Sequence, residues 1–333
     1  MQLPSSCLVT GATGFVGSHV AEACLARGVK VRALVRPGSD TKLLEKLGIV
    51  LVRGDLTDAA AVHEAVEGAD AVVHCAAKVG DWGPVEAYRA VNVEALGQLL
   101  DACTGRTLTR FVHISSLGVY PARHHYGSDE SAPLPERHID GYTQTKVEAE
   151  RLVMDYHRKQ GLPVVVLRPG FIYGPRDRWV MPDLVHNLRQ RSVRWIGGGR
   201  GALNTIYVGN LVDAILLALE KPNAVGQVYN LTDGESVSKR RFINALIKGL
   251  DLPKPPLLPV PVPIARAVAT VMERWARSRG SPTPPLLTQA RVKFLGLNLD
   301  FSIEKAKREL GYRPRVPFEQ AMQETMAWYR EKA

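Results

Sequence analysis

Through the first half of the chain, short apolar runs alternate with amphipathic segments. The runs at residues 7–9, 29–35, 49–53, 71–74, 111–115 and 164–167 predict strands. Between them, apolar positions recur at helical spacing over residues 15–27, 59–66, 88–102 and 142–160. Short buried strands alternating with helices imply right-handed βαβ units and a parallel sheet covered on both faces. The expected fold class is therefore α/β, a Rossmann-type doubly wound sheet. After Pro169 the rhythm changes. Residues 193–196 and 227–230 predict two more strands, and residues 210–220 and 241–250 two helices. A Pro-rich stretch at 252–263 and a second breaker at 280–285 follow. These features divide the chain into a first domain over residues 1–168 and a smaller C-terminal α/β substrate lobe over 169–333, with some later segments returning to the sheet.

The 333 residues, 45% of them hydrophobic and 23% charged, can bury a substantial core, which excludes disorder over most of the length. No run reaches the roughly 18 apolar residues of a membrane span, and the start lacks the order of a signal peptide. A cytoplasmic protein is expected. Cys7, Cys24, Cys75 and Cys103 stand far apart in apolar stretches, as buried thiols do, and no metal site is read from them. The net charge of +10 lies wholly in residues 239–333. No aromatic-basic stacking motif accompanies it, so nucleic acid is not expected. An anionic substrate or a membrane surface is the better reading.

Candidate chemistry begins at Cys7-Leu-Val-Thr-Gly11-Ala-Thr-Gly14-Phe-Val-Gly17. A strand enters a turn with three glycines and a helix leaves it. The first glycine permits the tight turn, the second admits a pyrophosphate against the backbone, and the third lets helix and strand pack closely. Phosphate then meets the helix N-terminus, where unpaired N–H groups favour negative charge. Gly11, Thr13, Gly14, Phe15, Val16 and Gly17 are the expected dinucleotide contacts. At the tip of the second strand stands Arg36 where an acid would select NAD, so NADP(H) is favoured and NAD(H) remains open. After the third strand, Asp55 is placed to accept the adenine amino group and Leu56 to pack on the ring; Asp58 is the better cap for the next helix.

Tyr142 and Lys146 lie four residues apart on one helix face. A phenol ordinarily ionises near pH 10; a neighbouring ammonium, with an oxidised nicotinamide nearby, is expected to lower that value and make it a usable acid or base. Such spacing is common, so position carries the argument. The pair follows the fifth strand, whose carboxyl end reads Ser115-Ser116, and ligands of open parallel sheets bind beyond those ends. Ser116 is read as donor to a carbonyl oxygen and Ser115 as local structure. His124 and His125 are read as solvent-exposed loop residues.

These motifs, with His74-Cys-Ala-Ala77, Val91-Asn92-Val93 and Arg168-Pro-Gly-Phe-Ile-Tyr-Gly-Pro175, resemble the extended short-chain dehydrogenase/reductases in order and over roughly residues 5–330. That superfamily also holds the sugar-nucleotide epimerases and dehydratases. The resemblance implies a catalytic trio of Ser116, Tyr142 and Lys146, with Lys146 also on the nicotinamide ribose. It implies cofactor contacts at Ser115, His74, Ala76 and Ala77, Asn92 under the nicotinamide side, and Pro169, Gly170 and Phe171 against the nicotinamide. It also implies a homodimer through the helices near 88–102 and 142–160.

Residues 76–83, and 285–288 with 301–314, resemble the 3β-hydroxysteroid dehydrogenase branch, which includes sterol 4α-carboxylate dehydrogenases and 2-alkyl-3-oxoalkanoate reductases, with dihydroflavonol reductases as neighbours. NAD is usual in that branch, so Arg36 departs from it. The expected activity is hydride transfer between nicotinamide and a bulky secondary alcohol or ketone. A sugar-nucleotide epimerase is the alternative; Leu117 and Gly118 stand where dehydratases carry an acidic pair. A non-catalytic dinucleotide sensor would not need the trio. Lys78, Arg123, Arg176 and Arg178 are candidates to meet a substrate carboxylate. In residues 264–279, Ile264, Val268, Val271, Met272 and Trp275 share one helical face, and Arg266, Thr270, Glu273, Arg274 and Arg277 the other. Such a helix packs on its own domain, lids a pocket or meets a membrane as a peripheral contact.

Overall fold

Seven short strands carry the apolar runs: β1 (Ser6–Thr10), β2 (Lys30–Val35), β3 (Val50–Arg53), β4 (Ala71–His74), β5 (Arg110–Ile114), β6 (Val164–Pro169) and β7 (Gln227–Leu231). In this computed structural model, which describes residues 2–178, 180–256 and 258–332, they form one parallel sheet in the order β7-β6-β5-β4-β1-β2-β3. Met1, at the start read as leaderless, and Leu257, in the Pro-rich stretch, lie outside the described residues.

The helices are α1 (Phe15–Leu25), α2 (Lys42–Lys46), α3 (Ala59–Val66), α4 (Val85–Arg89), α5 (Ala95–Cys103), α6 (Gly141–Gln160), α7 (Val180–Arg189), α8 (Val208–Glu220), α9 (Lys239–Leu250), α10 (Val262–Ser278), α11 (Gln289–Gly296) and α12 (Phe318–Lys332). One face of the sheet buries Val9, Val73 and Val165 against Val20 of α1 and Ile215 of α8. The other buries Leu8, Val72 and Val166 against Val62 of α3, Leu99 of α5 and Val153 of α6. Covered faces on both sides are what near-continuous apolar strands require. The doubly wound expectation is met. β7 and α8 return to the sheet from beyond Pro169, and Tyr173, Phe242 and Phe318 form a separate core in the C-terminal part.

Two sequence expectations fail for identifiable reasons. Residues 193–196 form no strand; Ile196 alone bridges Val260. Pro259 and Pro261 flank that partner and have no N–H to donate, while Gly197, Gly198 and Gly199 turn away in left-handed conformation.

The second is α10. Its buried residues are Ala265, Ala269, Glu273 and Ala276, whereas Ile264, Val268, Val271 and Trp275 are 55%, 44%, 67% and 59% exposed. The small residues let α10 approach α11 closely. Glu273, expected outside, is drawn in because its carboxylate accepts the Gln289 N–H at 2.7 Å, in the first turn of α11. The apolar stripe therefore faces outward and does not pack on its own domain. Among the described residues no helix is long and apolar enough to cross a membrane.

Candidate active site

The Gly-rich turn is built around close contacts. Gly11 has φ +68°, and a Cβ there would stand 2.8 Å from the Ala76 nitrogen; one on Gly17 would stand 2.2 Å from the Gly11 carbonyl oxygen. Larger residues would thus force α1 off the turn. Gly14 caps α1 without a side-chain hydrogen bond, so the helix presents its first N–H groups to the cleft. A cleft beside it is lined by Ala12, Thr13, Gly14, Ser18, Asp40, Leu43, Leu44, Arg176 and Arg178. This cradle of absent side chains and open amides fits a dinucleotide pyrophosphate. Arg176 and Arg178, considered above for a substrate carboxylate, line this cleft. Arg176 holds left-handed backbone at φ +71°, and its guanidinium joins His19 and Glu22 of α1. Burial, then the Arg176 charge, pushes His19 down to about 4, so it is neutral there.

Arg36 is exposed just beyond β2, with no ion pair among the described residues. Asp55 spends one oxygen on Thr57, accepting its N–H at 3.0 Å and its hydroxyl at 2.9 Å. Asp58 caps α3 as expected. His74 turns its ring inward: Nδ1 meets the Thr10 hydroxyl at 2.8 Å and the ring stacks on His113. Burial, aided by Lys146, pushes it down to about 3. Its ring is thus used inside the protein, which leaves only its backbone at the strand end. Asn92 sits in a π-turn at Ala90–Glu94 between α4 and α5. Its carboxamide is fully used on Lys78 N and O and on the Thr145 hydroxyl, so it clamps the loop after β4 to α6. Gly170 lies against the Asn204 carbonyl, where a Cβ would stand 1.9 Å away, and the Phe171 ring packs on Phe294 at 4.9 Å.

Tyr142, Lys146 and Glu150 follow one another down the inner face of α6. Asp140 caps that helix by accepting the Thr143 N–H at 2.7 Å, which fixes the start of the face. Ser116, two residues beyond β5, accepts the Gly118 N–H at 3.0 Å and lies close enough to the Tyr142 phenol to favour its ionised form. Lys146 donates to the Ile114 carbonyl at 2.7 Å, its nitrogen 6.0 Å from the Tyr142 ring centroid. In the protein alone, burial governs both groups. Burial pushes Tyr142 up to about 12 against the pull of Ser116, and burial pushes Lys146 down to about 8. Tyr142 therefore holds its proton through the neutral range.

Sequence reading missed the support beneath this trio. Ser115, expected among the cofactor contacts, gives its hydroxyl to Glu150. Arg168 chelates the same carboxylate at 2.6–3.1 Å and donates to the Tyr120 hydroxyl at 2.8 Å, which also meets Asn230. Burial works against the Arg168 charge, but Glu150 more than offsets it and raises that group. Lys293 of α11 donates to the Gly118 and Tyr120 carbonyls at 2.8 and 2.6 Å, fixing the turn that carries Ser116. Asp81 binds Thr288 and Arg291, and the Trp82 indole donates to the Ser281 carbonyl at 2.9 Å. The α10–α11 segment is thereby strapped to the loop after β4. The spacing 142, 146, 150 was the available signal for Glu150; its partners come from distant segments. His125, expected in an exposed loop, is buried against Tyr120 and Phe301 and bonded to Ser128 and Pro121. Among the described residues no His, Cys, Asp or Glu cluster could hold a metal.

Because Arg168 is buried against a single carboxylate, Glu150→Ala should cost about 3–5 kcal/mol, read by urea unfolding. A cost below 1 kcal/mol would show the pair to be dispensable.

The sequence profile described as the NAD dependent epimerase/dehydratase family matches residues 7–232. A 4-hydroxy-2-methyl-3-oxo-4-farnesyl-3,4-dihydroquinoline-1-oxide ketoreductase of Stigmatella aurantiaca is 34% identical over 316 residues, covering 94% of this chain and 93% of that protein. A 2-alkyl-3-oxoalkanoate reductase of Shewanella oneidensis is 31% identical, covering 97% and 86%. In fold the chain is similar to a UDP-glucuronic acid 4-epimerase of Bacillus cereus, at a TM-score of 0.77 and 23% identity over 98% of this chain and 100% of that one. With a profile match over most of its length and the glycine turn and strand-end trio in place, the chain belongs to the NAD dependent epimerase/dehydratase family.

Proposed function

We propose that this NAD(P)-dependent oxidoreductase reduces a bulky, largely apolar ketone, with Tyr142 as proton donor. One observation carries the reading: the Ser116 hydroxyl, the protonated Tyr142 phenol and the Lys146 ammonium converge beyond the sheet's carboxyl ends, near an aromatic wall of Phe171 and Phe294. Similarity to two ketone reductases supports the same direction. The lobe after Pro169 supplies that wall, and we read it as the substrate-binding part. The four free thiols fit a reducing, cytoplasmic setting.

The Gly11–Gly17 turn would hold the pyrophosphate, Asp55 and Leu56 the adenine end, and Lys146 the nicotinamide ribose. When bound, the nicotinamide supplies or accepts hydride at the carbon to be reduced or oxidised. Ser116 and Tyr142 orient the carbonyl oxygen and stabilise the charge that develops on it. Tyr142 then yields its proton to that oxygen. Lys146 would hold the ribose and keep a positive charge beside the phenol, which eases the loss of that proton.

Reductive kcat/KM should fall as pH rises through about 8, where the buried Lys146 ammonium loses its proton. Lys146→Arg, cationic at every working pH, should flatten that limb while lowering the plateau. Tyr142→Phe should lose roughly a hundredfold or more at all pH values. An unchanged alkaline limb in Lys146→Arg, or substantial turnover by Tyr142→Phe, would refute these roles. Interconversion of a UDP-sugar with no net change in reduced nicotinamide would favour the epimerase instead.

The unpaired Arg36 guanidinium supports NADP(H), since it is free to meet a 2′-phosphate. Arg36→Asp should raise the KM for NADPH about tenfold or more and leave that for NADH equal or lower. An unchanged ratio would sink the assignment.

For assembly, α5 and α6 lie side by side on one face of the sheet, joined by Tyr156 to Asp101 at 2.5 Å, and offer a two-helix surface to a second copy. Sedimentation should give twice the 36.5 kDa of one chain, and a monomeric mass would exclude the pairing.

A further inference from the structure

We infer that the outer face of α10 docks on an anionic lipid bilayer. Ten large hydrophobic side chains are exposed among the described residues, and six of them lie between positions 258 and 286: Leu258, Ile264, Val268, Val271, Trp275 and Leu286. Four follow one another along α10 at spacings of four, three and four, a single ridge over nearly the whole helix. The helix is already held from the other side by Ala265, Ala269 and Ala276, so the ridge is not needed for packing within the chain. A contiguous exposed apolar face of this kind marks an interaction surface.

Charge decides the occupant. Between Asp251 and Asp300 the chain has one acid, Glu273, which is buried against the first turn of α11. Arg266, Arg274, Arg277 and Arg279 are all exposed on the same helix or its end; Arg266 and Arg277 turn to the Ala122 carbonyl and the Trp82 ring, which leaves Arg274 and Arg279 beside the ridge. The Arg279 guanidinium lies 4.2 Å from the Trp275 ring centroid, so an aromatic body and a cation are presented together. Apolar side chains at the depth of the acyl boundary, with arginines at the headgroups, are how an amphipathic helix lies in a membrane interface. A second copy of this chain would set those arginines against each other unless acids faced them, and the helix exposes none.

The docked helix also reaches the site. Through Ser281, Thr288 and Arg291 the α10–α11 segment is strapped to Asp81 and Trp82, and through Lys293 to the turn that carries Ser116. A bilayer on the outer face would bring a lipid-dissolved ketone to the rim of the reaction chamber, a consequence that rests on the reading of the site as a ketone reductase.

The test is co-sedimentation of the full chain with vesicles of phosphatidylcholine alone and of phosphatidylcholine mixed with phosphatidylglycerol. Partition should be at least tenfold higher on the mixed vesicles and should fall with added salt. The double substitution Val271→Ser with Trp275→Ser, and separately Arg274→Glu, should each lower it tenfold, with thermal unfolding and turnover of a water-soluble ketone unchanged. Trp275 fluorescence, taken as the difference from Trp275→Phe, should be quenched by brominated acyl chains. No partition, or equal partition by the variants, overturns the proposal. So does a drop in solution mass in the variants without change in vesicle binding, which would make a second copy the occupant. Vesicle binding is read without turnover. Its failure leaves the ketone assignment standing, and a lack of turnover leaves the docking face standing.

Discussion

The contact on which the site depends is the buried pair of Glu150 and Arg168. One carboxylate joins three elements at once: α6 through its own backbone, β6 through Arg168, and the end of β5 through Ser115. About one turn of helix above it is Lys146, fastened to the Ile114 carbonyl, and about one turn further is Tyr142. A helix laid on a sheet by apolar side chains alone retains freedom to slide or rotate by part of a turn. A chelated, desolvated ion pair has one good geometry, and its price in desolvation is offset only when that geometry is met. The pair thereby fixes which face of α6 looks at the strand ends.

Charge placement then sets the chemical state of the site. Burial acts in opposite directions on phenol and ammonium, because in each case it disfavours the charged form. Tyr142 is held protonated and Lys146 is brought close to the neutral range. Under the proposed function, this arrangement prepares a proton donor for reduction. The same burial keeps His74 neutral and turned away, so the strand end offers its backbone, and not an imidazole, to the cofactor side.

The C-terminal part contributes position more than catalytic groups. Lys293 lies 175 residues from Gly118 in sequence and holds its carbonyl. Asp81 and Trp82 are reached from α10–α11 over about 200 residues. These long-range ties connect an outward-facing helix with the turn that carries Ser116.

The sequence by itself determined the alternating architecture, because short apolar runs and helical periods report local burial directly. It also placed the glycine turn and the Tyr142–Lys146 pair, whose spacing is local, although the protonation state of that pair is set by burial. Tertiary structure alone decided the rest. Glu150 needed Arg168, Ser115 and the distant Tyr120 to become a support. The run at 193–196 needed a partner strand, and found one flanked by prolines that cannot donate. On α10, periodicity identified two faces correctly but not which faced inward. A row of alanines permits close approach and the first turn of α11 accepts a carboxylate, so the side with Glu273 went in and the large apolar residues were left outside. Periodicity records that a helix has two sides; only the shape and hydrogen-bonding capacity of its neighbour decide which is buried.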